Sequence, residues 1–258
     1  MGQQVPWTVS PSFSMIRGFQ CSMLMPDLLH CWNLGLARDL LGSSLKIIFQ
    51  GRIIFAEPTL HERMMRATES LKRFAKDHGH PLRCKKFTKG KLIWHNRKYP
   101  SLSVSGYDAY VIGLWLEELV SGYTEQYPEI SSMLWLSNKA ISLMYSSESW
   151  FLSQEEKKSL EVLGFAFLRL YMSMASTALQ QHKLLFRVRP KMHIMCHIFR
   201  SPRIINQSKY STWLDEDYLR KAAKTMSLTD SRGSHLRFLQ RWLMSIPGHF
   251  KNTLGAQS

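Results

Sequence analysis

MPDLLHCWNLGLARDLLGSSL, Met25 to Leu45, is the stretch that decides the fold. Leu28, Leu29, Trp32, Leu36, Leu40, Leu41 and Leu45 recur at helical spacing, which predicts an amphipathic helix over residues 27–50. Asp27 is the first acidic residue of the chain, and Pro26 suits an extended approach to it. Asp is a good N-cap because its carboxylate accepts an orphan backbone N–H. His30 follows one helical turn later on the same side. A carboxylate and an imidazole so spaced could share a metal or a phosphate-bound water. They could equally be a cap and a packed histidine. Gly35 and Gly42 either weaken the helix or admit a close neighbour, and Gly51 offers a stop.

Outward from this stretch the pattern stays helical. Gly18 to Leu24 suggests one short strand. Pro58 opens a strongly charged helix that ends at Asp77-His78-Gly79, before Pro81. Tyr107 to Val120, Pro128 to Tyr145 and Gln154 to Gln181 predict three more, the last opened by a Ser153-x-x-Glu156 capping box. Leu160, Leu163, Phe167, Leu170, Tyr171 and Met174 give that helix a core-facing stripe. Pro190 opens a short helix, and Trp213 to Met226 and Ser234 to Ile246 suggest two at the C-terminal end. No repeat or linker divides the 258 residues, so a single mainly α domain is expected.

Charge is the strongest bulk signal. Thirty-four Lys and Arg face nineteen Asp and Glu, a net +15 with a pI near 9.8. Such a balance attracts polyanions, nucleic acid above all. The excess is concentrated in RCKKFTKGKLIWHNRKYP, Arg83 to Pro100. There Arg83, Lys85, Lys86, Lys89, Lys91, Arg97 and Lys98 appear without a carboxylate and interleave with Phe87, Trp94 and Tyr99. Cations can neutralise phosphates while aromatic faces stack on unpaired bases. The same composition also describes a solvated loop whose aromatics anchor it to a core. From His182 onward, fourteen Lys and Arg face four Asp and Glu, with Arg187, Arg189, Lys191 and Lys209 as further phosphate contacts.

No uninterrupted run of eighteen apolar residues predicts a membrane span, and no basic and apolar leader predicts secretion. Cys21, Cys31, Cys84 and Cys196 are scattered, as free thiols of a reducing compartment would be. His193 and His197 fall at i, i+4, a spacing that can hold zinc, but Ile194 stands where a His-Glu-x-x-His protease carries its general base. Asp215, Glu216 and Asp217 form an acidic cluster in a basic field. It reads either as a match to a helix dipole or as a metal-binding carboxylate group.

Taken together, Asp27-Leu28-Leu29-His30-Cys31 with Leu34-Gly35, Pro190-Lys191-Met192-His193 with His197, and Trp213-Leu214-Asp215-Glu216 show a familiar order. They resemble the D-x-x-H, late K-x-H-x-x-x-H and aromatic-flanked Glu segments of eukaryotic cut-and-paste transposases of the CACTA, Plavaka and hAT-like kinds. The resemblance implies a ribonuclease H-like core split by a helical insertion, in which carboxylates hold paired Mg²⁺ ions. Asp27 and His30 would be the D-x-x-H pair of the catalytic set. Glu216 would be the last acid, and Asp27 and Glu216 would be metal ligands.

One departure matters. No acid precedes Asp27, so against that resemblance at least one metal ligand and the early strands would be absent. The expectation is therefore a mainly α chain with a partial ribonuclease H-like core and a large helical insertion. Residues 15–55 would carry the D-x-x-H segment, 56–182 the insertion and 183–258 the C-terminal core helices. Its function would be that of a DNA-binding transposase remnant or domesticated fragment, nuclear or cytoplasmic, not catalytic alone, with Mg²⁺ only where an active site persists. Self-association is left open. Two rivals stand beside it: a helical protein-interaction module, and a metal-dependent nuclease using Asp27 and Glu216 with Asp215 or Asp217.

Overall fold

The computed structural model describes residues 12–18, 25–95, 97–200, 205–213 and 223. The chain forms two compact units, Met1–Ser211 and Thr212–Ser258. The first is mainly α and holds every helix described below. The strand suggested near Gly18 and the two C-terminal helices fall largely or wholly outside the described residues.

The decisive stretch is helical, with a change of winding. Leu29–Leu36 is a π-helix, closed by the Ala37 N–H bonding to the Trp32 carbonyl five residues back. It runs without a break into α1, Ala37–Gly51, which Arg52 ends at φ 56°. A π-helix is rare and is mostly a single turn. Lys191 lies across Gly35, and a Cβ there would sit 2.8 Å from both the Lys191 Cδ and the His30 carbonyl oxygen. At Gly42 a Cβ would come within 2.7 Å of the Ser101 backbone. Both glycines thus serve close approach.

Five further α-helices follow among the described residues. α2 is Leu60–Asp77, started by a Thr59–Glu62 capping box. α3 is Gly106–Ser121, capped by Ser105. α4 is Pro128–Ser146. α5 is Gln154–Gln180, opened by the expected Ser153–Glu156 capping box. α6 is Pro190–Arg200. Among the described residues there is no strand, only an isolated antiparallel bridge between Phe151 and Ile205.

α5 packs between α4 and α6, and α6 reaches the π-helix. Trp32 meets Phe167 edge-on at 5.5 Å, and Tyr171 meets Phe186 at 5.7 Å. Trp115, Tyr171, Phe49, Phe167, Phe186 and Phe199 are fully buried, each contributing about 1.5–3 kcal/mol of transfer free energy. One hydrophobic core includes residues from all three expected segments. By length and composition α5 is apolar enough to cross a membrane, and much of its surface is exposed.

Candidate nucleic-acid interface

Asp27 and His30 meet as their spacing predicts. Asp27 Oδ2 contacts His30 Nδ1, and Asp27 Oδ1 accepts the Leu29 N–H at 3.0 Å. The same N–H reaches Ser211 Oγ at 3.1 Å. Beneath them Cys31 is buried, and burial pushes its thiol up, with Asp27 adding to the rise and Lys191 opposing it. Asp27 is therefore a helix-start ligand for the backbone as well as a partner for His30. Glu216, with Asp215 and Asp217, lies outside the described residues. Among the described residues no three His, Cys, Asp or Glu side chains gather where they could hold a metal ion. His193 and His197 share a face, with Nε2 atoms 2.9 Å apart and both rings exposed. Cys196 Sγ points instead to the Met192 carbonyl.

The basic stretch is held from below. The Arg83 N–H donates to Asp108 Oδ1 at 2.9 Å, and the Phe87 N–H to Thr68 Oγ1 at 2.9 Å. Cys84, Phe87 and Leu92 are buried, with Phe87 against Trp115 at 5.8 Å. Trp94 is half-buried, stacked on Phe49 at 6.3 Å with Lys46 Nζ 6.0 Å from its ring. Tyr99 is also half-buried. These aromatics anchor the segment, and Trp94 spends its ring on Phe49 and Lys46. The sequence left this anchoring role open beside base stacking, and the packing turns Phe87 and Trp94 inward.

The cations go the other way. Arg83, Lys85, Lys86, Lys89, Arg97 and Lys98 are exposed, and Lys91 is half-buried. Among the described residues none of the seven forms an ion pair with a carboxylate. The sheltered side chains carry the packing while these charges stand in water.

The later cations divide. Arg187 is exposed. Lys191 Nζ donates to the His30 carbonyl at 2.7 Å. Lys209 is half-buried in the short 3₁₀ turn Gln207–Tyr210. Arg189 is committed to Asp39: its Nη2 donates to Oδ1 at 2.7 Å, and its Nε lies 2.5 Å from Oδ2. Asp39 is fully buried, and burial pushes its carboxyl up, while Ser101, Arg189 and Arg187 pull it down. Sequence reasoning passed over Asp39. The signal was its position three residues after Leu36, on the apolar face of the helix.

Comparison with known proteins places nothing beside this chain: no family model, no curated protein and no solved structure matches it.

Proposed function

We propose that this protein binds DNA electrostatically through the Arg83 to Lys98 surface and is a remnant or domesticated fragment of a transposase. One observation carries the DNA reading. Exposed, unpaired cations stand on a backbone pinned to the core, so little ordering remains to oppose their use on phosphates. The contact of Asp27 with His30 is compatible with the transposase resemblance, as is the order of the motifs. A ribonuclease H-like ancestry and a nuclear location belong to the same proposal. Asp27's carboxylate is occupied by a backbone N–H and an imidazole, which fits a segment whose present work is structural.

Fluorescence anisotropy with a duplex oligonucleotide tests the reading. The logarithm of affinity should fall linearly with the logarithm of salt, by about 0.9 per phosphate contacted, with little sequence preference. Binding insensitive to salt overturns it. Absence of any polynucleotide binding at physiological ionic strength favours a protein-interaction module. Mg²⁺-dependent nicking that disappears in Glu216→Ala would instead identify a nuclease.

A further inference from the structure

Beside the basic stretch is a pocket of about 400 Å³, on the face where α2 meets the segment after it. Local chain geometry builds it. Lys72 and Lys76 are i, i+4 on α2, so both project from one face. Gly79, at φ 68°, takes the left-handed turn that reverses the chain after the helix. The His80 N–H then bonds back to the Ala75 carbonyl at 2.7 Å. The returning segment brings Leu82, Cys84 and Lys85 to the same pocket.

Its lining has two characters. Lys72, Lys76 and Lys85 are exposed and cationic, while Ala75, Leu82 and Cys84 supply an apolar floor. No carboxylate lines it. Burial pushes the Cys84 thiol up, which keeps this part of the floor neutral. His80 belongs to an aromatic row: Phe74 lies 6.2 Å from its ring and is nearly parallel to it, and Tyr107 lies at 6.3 Å, edge-on. The Tyr107 hydroxyl is 3.1 Å from His80 Nδ1, and Tyr107 is 37% exposed.

We propose that this pocket takes one unpaired nucleotide of a single-stranded nucleic acid, its phosphate among Lys72, Lys76 and Lys85 and its base against His80 and Tyr107. The proposal rests on the polynucleotide reading above and deepens it. The pocket's volume falls within the range that holds a small organic ligand. A cationic rim over an apolar floor matches a nucleotide, which has an anionic end and a flat apolar end. A duplex can offer phosphates to the rim but keeps its base faces stacked on one another. An unpaired base has a free face for the aromatic row. The inward aromatics of the basic stretch cannot supply that face, since Trp94 and Phe87 are used in packing.

The test compares binding of the full chain to a short labelled oligothymidylate and to a duplex of equal length. The single strand is expected to bind more tightly. Tyr107→Leu and His80→Leu should each weaken the single strand about tenfold and leave duplex binding unchanged. Lys72→Ala with Lys85→Ala should weaken the single strand more than Lys89→Ala with Lys98→Ala does. Because His80→Leu could disturb folding, photo-crosslinking of an iodouracil-substituted strand to the wild-type protein provides a second readout, with the adduct expected on the His80 or Tyr107 peptide. Equal affinity for the two probes, unchanged binding in both aromatic variants, or an adduct on the Trp94 peptide overturns the pocket. Salt-dependent duplex binding would survive each of those results. If neither probe binds, both readings fall.

Discussion

The Asp27 segment and the basic stretch stand out equally in the sequence, yet the fold treats them in opposite ways. Around Asp27 the polar groups are engaged within the chain. The carboxylate holds Leu29 and His30, the His30 carbonyl holds Lys191, and Asp39, further along the same helix, holds Arg189. From Arg83 to Lys98 the backbone is tied down and the charges are left over. A segment that looks catalytic is interlocked with its surroundings. A segment that looks like a binding surface keeps its interaction capacity unspent. Surplus charge on a fixed backbone is thus the better pointer to a partner in this molecule.

The contrast can be broken by substitution, and the largest effect should come from the interlocked side. Asp39→Ala leaves Arg189 facing a buried site without its anion. Removing one partner of such a pair costs about 3 kcal/mol at the low end of the usual range, since Arg189 is partly exposed. A thermal melt should shift down by roughly 6–12 °C. The milder Asp39→Asn sharpens the point through pH. Burial raises this carboxyl above its ordinary 3.8, so between 3.8 and the raised value the folded chain keeps a proton that the unfolded chain has lost. Stability drawn from the group is whole below 3.8 and declines as pH rises through the raised value. Asp39→Asn should flatten that part of the pH–stability curve, and an unaltered curve would remove Asp39 from the account.

Next in size is Gly42→Ala, whose methyl would meet the Ser101 backbone rather than a yielding side chain. Overpacking of this kind costs roughly 1–3 kcal/mol, readable by chemical denaturation. Thr59→Ala removes the α2 capping box and should cost about 1 kcal/mol. The Thr59 hydroxyl and backbone N–H lower the Glu62 carboxyl. The cap's contribution is therefore present above the ordinary carboxylate value and lost as pH falls through the lowered one.

The smallest stability change belongs to the other region. Lys89→Ala with Lys98→Ala should move stability by no more than about 0.5 kcal/mol. The same pair should flatten the salt dependence of DNA binding by about 0.9 for each phosphate that is no longer neutralised. A large loss of stability there would show that these cations are structural after all, and the contrast would collapse.

Much of the helical framework was legible because its signals are local. The leucine spacing after Asp27, Pro128 and Pro190 at helix starts, and the Ser153–Glu156 box each act within a turn or two. The Thr59–Glu62 box was equally local and was overlooked in favour of Pro58. The close approach at Gly35 could not be read, because the side chain that makes it, Lys191, lies more than 150 positions away. Asp39 looked like an ordinary helix charge for the same reason: its partner is distant in sequence. The candidate site was legible as charge and illegible as shape. Periodicity has no purchase on an irregular segment, so nothing local said that Phe87 and Trp94 would turn inward. Nor did it say that Lys85 would return beside Lys72 and Lys76.

The Lys191 bond to the His30 carbonyl has a further consequence, for the order in which the molecule assembles. It spans 161 residues, and Arg189–Asp39 and Phe186–Ser43 span 150 and 143. During synthesis the part of the first long helix that these contacts cover stays uncovered until residues near 190 leave the ribosome. Long-range closures of this kind slow folding and lengthen exposure to aggregation. A nascent chain arrested before Pro190 should therefore be a chaperone client, while the chain released beyond Arg200 should not.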